Sequence, residues 1–95
     1  MPKGYWIAHI DVRDPEKHKA YMAANAKAFE KYGGHFLIRG GRSQVTAGAL
    51  RPRHVVIEFK DYETALACYN SPEYAEAIKI RVTSSESDIV VVEGA

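Results

Sequence analysis

The chain has 95 residues, of which 46% are hydrophobic and 26% are charged, and its formal net charge is +1. These values are typical of one globular domain, here residues 1–95, and they exclude a disordered chain. The balanced charge argues against nucleic acid or an anionic membrane as a partner. Cys68 is the single cysteine. Without a possible intramolecular disulfide, a long apolar run or a signal-peptide core, the sequence predicts a cytoplasmic protein.

The first half of the chain predicts a strand, a helix and a second strand. Residues 5–12 are rich in aromatic and β-branched side chains, as is typical of a strand. Asp14 and Pro15 are typical N-cap and first-turn residues, and they predict a helix that runs to about residue 32 and ends at Gly33. Residues 35–39 predict the second strand. The glycine pair at 40–41 is expected to bend or bulge that strand.

The second half predicts a strand at 54–60, two short helical segments and a last strand at 88–93. Asp61 is expected to cap the first of these segments, and Ser71 with Pro72 is expected to end it and start the next. The order is therefore β-α-β-β-α-β. With right-handed crossovers it predicts an α+β fold of the ferredoxin-like kind, in which both helical layers cover one face of a four-stranded antiparallel sheet with strand order 4-1-3-2.

Alternation along the strands predicts two different faces of this sheet. One face is apolar and should meet the helices. The other, which we call the open face, is mixed, and is predicted to carry His9, Asp11, His35, Arg39, His54 and Glu58 between Tyr5, Ile7, Leu37 and Val56. A second copy of the chain or a strand of RNA could cover such a face. RNA recognition on this topology uses exposed aromatic rings on central strands and a basic surface, so a homodimer is favoured and no nucleic-acid partner is expected.

Three segments carry a family resemblance: "KYGGHFLIRGGR", "VVIEFKDYETALACYNSPEY" and "DIVVVEG". They resemble the bacterial family catalogued as domain of unknown function 1330, over residues 5–94. The resemblance implies the dimeric α+β barrel superfamily, in which two ferredoxin-like sheets pair face to face around any site. Relatives there include small monooxygenases, muconolactone-isomerase-like proteins and haem-handling proteins. The resemblance implies no particular reaction. It does single out Arg39, Glu58, Tyr69 and Arg81, which match the family pattern and have no obvious structural role.

The predicted catalytic residues are His9 and Arg39. An imidazole titrates near neutral pH and suits proton transfer, and a guanidinium pairs in bidentate fashion with a carboxylate or an enolate. Alternatively, His9 is a hydrogen-bonded residue of a dimer interface, and Arg39 forms an ion pair with Glu58 on the adjacent strand. The predicted ligand-binding residues are Glu58, His35, Tyr69 and Arg81.

Neighbouring strands could bring His9, His35, His54 and Glu58 together, but the sequence lacks the compact ligand spacing of known metal sites. The glycines match no nucleotide-binding loop. We therefore predict no metal and no cofactor. The leading hypothesis is a homodimer with an inter-sheet pocket for a small, partly apolar molecule that bears a carbonyl or carboxylate. Cofactor-independent proton transfer or monooxygenation is the expected chemistry. The alternative is a non-catalytic binding or assembly module whose polar sheet face only specifies dimerisation.

Overall fold

The computed structural model describes residues 2–95, which form four strands and three helices. In chain order these are β1 (Gly4–Val12), α1 (Pro15–Tyr32), β2 (His35–Arg39), β3 (Arg53–Phe59), α2 (Tyr62–Tyr69), α3 (Pro72–Ser84) and β4 (Ser85–Glu93). All strand pairs are antiparallel, and the sheet order is β2-β3-β1-β4. The predicted α+β, ferredoxin-like sheet and its strand order are therefore confirmed.

The helices begin and end where local chemistry predicts. The Asp14 side chain accepts a hydrogen bond from the backbone N–H of Lys17, which satisfies a free donor in the first turn of α1. Gly33 ends this helix in the left-handed conformation, with φ of 70°. Ser71 caps α3 in the same way as Asp14 caps α1. The last strand starts three residues earlier than predicted, because α3 passes directly into β4.

Trp6 occupies the centre of the core between the sheet and the helices. Its ring packs against Phe29 of α1, Phe59 of β3 and Tyr74 of α3, with centroid distances of 5.0, 5.6 and 4.9 Å. Its indole N–H donates a hydrogen bond of 2.8 Å to the carbonyl of Ala65, so the one polar atom of the ring is satisfied. The side of β1 and β3 that faces the helices is thus apolar, as predicted. Over residues 2–95, no helix combines the length and the apolar character needed to cross a bilayer.

A bulge in β2 corrects the face predicted for Arg39. Phe36 pairs with Ile57, but Ile38 pairs with Val56, so Leu37 is an extra residue in β2. The extra residue reverses the alternation that follows it. Ile38 consequently lies on the open face and is 49% exposed. Arg39 lies opposite Val55, on the helix-facing side, and the prediction that it lines the open face is wrong.

The bend or bulge predicted at glycines 40–41 is therefore found earlier in the strand, at Leu37. Gly40 has a different role: with φ of +69° it turns the chain out of the sheet at the end of the strand. Its N–H donates to the carbonyl of His54 on β3. Residues 40–52, which follow, contain no helix or strand.

Candidate functional site

His9 and His54 form a direct cross-strand pair on the open face. They lie opposite each other on β1 and β3, and their Nδ1 atoms are 2.8 Å apart. One ring donates a hydrogen bond and the other accepts it, because each neutral imidazole carries one N–H. Both residues are half-buried. The predicted catalytic residue His9 is therefore paired with another imidazole and not with a guanidinium.

Glu58 is the centre of a second polar group on the open face. Its carboxylate accepts hydrogen bonds from the Lys3 ammonium at 3.1 Å and the Tyr5 hydroxyl at 3.3 Å, and the His35 Nε2 lies 3.4 Å away. The hydrogen bond from Lys3 is the main reason why the pKa of Glu58 is lowered. The alternative ion pair between Arg39 and Glu58 is wrong, since the bulge sends Arg39 to the other face. A groove of about 310 Å³ lies beside Glu58 and His35.

Tyr69 and Arg81 lie on the opposite side of the sheet, in the helical layer. The Arg81 guanidinium donates to the Tyr74 hydroxyl at 2.9 Å and to the Tyr69 hydroxyl at 3.3 Å. A further bond of 2.7 Å joins the hydroxyls of Tyr74 and Tyr21. Burial raises the pKa of Tyr74, so its hydroxyl stays neutral. These two predicted ligand-binding residues thus satisfy each other within the fold, away from His9 and Glu58.

A small cavity between α1 and the sheet, which we call the helix-side pocket, is lined by residues that carry three of the four buried side-chain nitrogen and oxygen atoms without a hydrogen-bond partner within residues 2–95. Its volume is about 30 Å³, and its walls include Trp6 and Phe29. Its polar lining residues are His18 and Asn25 from α1, Arg39 from β2 and Arg53 from β3. An apolar cavity with a few convergent polar groups is the usual composition of a small-molecule site.

His18 is the most unusual group in the helix-side pocket. It is only 7% exposed, and neither Nδ1 nor Nε2 has a hydrogen-bond partner among residues 2–95. Burial lowers the pKa of His18, and the positive charge of Arg53 lowers it further. The ring is therefore neutral at neutral pH and can accept a proton. Sequence analysis overlooked His18, although its spacing from Tyr21 and Asn25 places it on the buried stripe of α1.

Two guanidinium groups give the helix-side pocket a positive side. Arg39 is exposed and stacks on Phe36, with its Cζ atom 4.2 Å from the ring centroid. Arg53 has a buried Nε with no hydrogen-bond partner within residues 2–95. Gly40 makes room for it, because a Cβ atom at that position would overlap the Arg53 guanidinium. The bulge in β2 thus unites one predicted residue, Arg39, with His18 and Arg53, which were not predicted.

The fold is similar to several solved structures. A protein of unknown function from Rhodopseudomonas palustris gives a TM-score of 0.77 at 17% identity, over 99% of this chain and 83% of that chain. SnoaB from Streptomyces nogalater, a cofactor-independent oxygenase, gives a TM-score of 0.65 at 13% identity, over 100% of this chain and 95% of that chain. A dimeric ferredoxin-like protein of unknown function from Thermobifida fusca gives a TM-score of 0.63 at 16% identity, over 97% of this chain and 91% of that chain. At these identities the similarity establishes the fold alone.

Comparison with curated proteins found no match. A family model does match, and it covers residues 3–95, which include both faces of the sheet and the helix-side pocket. The resemblance seen in the glycine-flanked second strand and the closing strand is thereby confirmed. The chain belongs to the family described as Domain of unknown function (DUF1330).

Proposed function

We propose that the protein binds a small, partly apolar molecule with a carboxylate or carbonyl in the helix-side pocket and catalyses a cofactor-independent reaction on it. One observation carries the proposal: a buried, unpartnered imidazole, His18, shares this pocket with the guanidinium groups of Arg39 and Arg53. The chemistry is that of the inter-sheet hypothesis, but the pocket is on the other side of the sheet. The corrected position of Arg39 is the reason for this change.

The residues have distinct roles in the proposed reaction. Arg39 and Arg53 attract the negative charge of the ligand, and it is this charge that grows when a proton leaves the carbon beside a carbonyl. Neutral His18 accepts that proton. Return of the proton at another carbon gives isomerisation. Alternatively, dioxygen oxidises the carbanion: a C–O bond forms to give a hydroperoxide, and where that carbon carries a second hydrogen the O–O bond breaks with loss of water to leave a carbonyl. The shared fold with SnoaB, described as a cofactor-independent oxygenase, supports this branch.

The size of the helix-side pocket limits the ligand. Its volume of about 30 Å³ is roughly a tenth of the lower end of the usual range for ligand pockets. Only the reacting group of a ligand fits inside, while the remainder lies at the mouth, where Arg39 stacks on Phe36. A planar ring attached to a carboxylate or a lactone carbonyl suits this arrangement, since guanidinium groups stack on aromatic faces.

A ligand screen with matched variants tests this proposal. Aromatic acids and lactones are screened by thermal shift against the wild type, and hits are titrated against Arg39→Gln, with Arg42→Gln as the control for loss of one exposed charge. Loss of a hydrogen bond to a charged group should weaken binding by about tenfold or more in Arg39→Gln only. Exchange of ligand protons for deuterium, followed by NMR, should be lost in His18→Gln. Equal affinities in both arginine variants, or unchanged exchange in His18→Gln, would reject the respective role.

The open face supports a second proposal, that the protein is a homodimer in which this face meets the same face of another copy. Aliphatic side chains cover much of this surface, and Val90 on β4 is 52% exposed. Ile38 and Val92 are also exposed there. The Thermobifida fusca structure of the same fold is described as dimeric. In such a dimer, His9, His35 and Glu58 would lie between the sheets. If the ligand screen finds nothing, this assembly role is the alternative function.

Light scattering at micromolar concentration tests the dimer. Val90→Lys places a charge on the open face, and Val82→Lys places one on α3, where Val82 is 64% exposed. We expect the wild type and Val82→Lys to be dimers and Val90→Lys to be a monomer, because burying an unpaired charge is strongly unfavourable. A monomeric wild type, or a dimer that Val90→Lys leaves intact, contradicts this interface.

The buried free thiol of Cys68 supports the accompanying proposal of a reducing, cytoplasmic location.

A further inference from the structure

We propose that His9 and His54 form a binding site for a divalent transition-metal ion, with Cu²⁺ as the preferred ion. The pair lies on the open face, on the opposite side of the sheet from the helix-side pocket, and is independent of the proposed catalytic function. Imidazole nitrogen is a good ligand for copper, nickel and zinc. The two residues lie directly opposite each other on the paired central strands β1 and β3, so the site needs no loop to fold around the ion.

The separation of the two Nδ1 atoms carries the inference. Two nitrogen ligands about 2.0 Å from one ion and at right angles to each other lie about 2.8 Å apart, as in tetragonal Cu²⁺ or Ni²⁺ sites. The Nδ1 atoms of His9 and His54 are 2.8 Å apart. A tetrahedral Zn²⁺ site needs about 3.3 Å for the same bond length, which a small rotation of either ring reaches, so the separation admits copper, nickel and zinc. Copper also binds more tightly than nickel or zinc to a given set of nitrogen ligands.

The surroundings leave the site with two protein ligands from each chain. Asp88 of β4 lies opposite His9, but its carboxylate accepts a hydrogen bond of 3.1 Å from the Arg51 guanidinium. Glu58 lies four residues from His54, about 13 Å along the strand. Across residues 2–95, no group of three or more His, Cys, Asp or Glu side chains is placed to hold a metal ion. The remaining coordination positions therefore belong to water or to a second copy of the chain.

Metal binding replaces the hydrogen bond between the two rings. In the metal-free pair one Nδ1 carries a proton, and with metal bound both Nδ1 atoms are ligands and both protons lie on Nε2. This is a change of tautomer in one ring with no net release of protons from the neutral pair. Protonation of either ring removes a ligand, so metal affinity must fall in acid. The sequence predicts both histidines on the open face, but their direct hydrogen bond joins residues 45 positions apart and depends on the pairing of β1 with β3.

Titration of the intact chain with Cu²⁺ at neutral pH tests the site. Binding is measured by calorimetry for the wild type, His9→Gln and His54→Gln, with His35→Gln as the control, since His35 is an exposed histidine of the same face outside the pair. We expect each of the first two substitutions to weaken binding by at least about tenfold, and the control to bind as the wild type does. Circular dichroism checks that each variant is folded.

Electron paramagnetic resonance of the copper-bound wild type gives a test that needs no variant. Coupling to two imidazole nitrogens is expected. Coupling to one nitrogen would overturn the proposal, as would equal binding by the wild type and His9→Gln. A loss confined to one of the two substitutions would also overturn it, because that result indicates binding by one histidine alone. None of these results depends on the ligand screen of the helix-side pocket, so failure of one proposal is distinguishable from failure of the other.

Discussion

Replacing Gly40 by alanine is expected to destabilise the protein, whereas the same change at Gly41 is expected to be nearly neutral. Gly40 has φ of +69°, and any other L-residue in this left-handed conformation costs roughly 1–2 kcal/mol. The new Cβ atom would also overlap the Arg53 guanidinium, which must then move. At Gly41 there is nothing within 4 Å of the added atom. The two adjacent glycines therefore form a matched pair, in which only the first has a structural requirement.

Urea unfolding of the two variants measures this difference. Gly40→Ala should lower the free energy of unfolding by at least about 1 kcal/mol, and Gly41→Ala should change it by less than about 0.5 kcal/mol. Gly40→Ala should also lower the affinity for any ligand found to bind in the helix-side pocket, because Arg53 lines that pocket. Equal stability of the two variants would show that the turn after β2 does not need glycine at position 40.

Acidification is expected to destabilise the protein through His18, starting below about pH 6.5. The pKa of His18 is lowered in the folded state by burial and by the charge of Arg53. Between that lowered pKa and the ordinary value of 6.5, the unfolded chain binds a proton at His18 that the folded chain does not. The stability contributed by neutral His18 is therefore complete above pH 6.5 and is lost as the pH falls. One proton accounts for at most about 1.4 kcal/mol per pH unit.

Comparison of unfolding free energies at pH 7.5 and 5.5 isolates this effect. The loss of stability at the lower pH should be smaller in His18→Gln than in the wild type, because glutamine does not titrate. His35→Gln is the control, since His35 is exposed and lies on the other side of the sheet. The His35→Gln variant should keep the part of the pH dependence of stability that His18 causes. An identical dependence in the wild type and His18→Gln would mean that His18 does not govern the response to acid.

The fold could be predicted from the sequence because its signals are local. Asp14, Gly33 and Ser71 act within one helical turn of their own positions, and the alternation in β1 and β3 depends only on neighbouring residues. The bulge at Leu37 has no such signal. The three consecutive apolar residues at 36–38 fit a regular strand as well as a bulged one, and only pairing with β3 shows that one residue is in excess. The error in the face of Arg39 follows from that single residue.

The candidate site was harder to predict because it depends on a missing hydrogen-bond partner and a missing side chain as well as on the residues that line it. His18 lies on a stripe that the helical period makes visible, but the lack of a hydrogen-bond partner for its ring cannot be read from a sequence. Arg53 enters the pocket because Gly40, thirteen positions earlier in the chain, has no side chain. The partners of Glu58, which are Lys3 and Tyr5, come from the start of the chain. Such contacts are set by tertiary structure.

The position of β4 at one edge of the sheet has a consequence for solubility. Its outer backbone groups are not paired within the sheet, and residues 89–92 are four consecutive β-branched side chains. An edge of this kind is a template on which a foreign strand can add. Acidic residues stand on both sides of the run, Asp88 before it and Glu93 after it. A foreign strand that paired with this edge would have to cover charged groups at both ends of the run, so we expect these two carboxylates to act as gatekeepers against edge-to-edge aggregation.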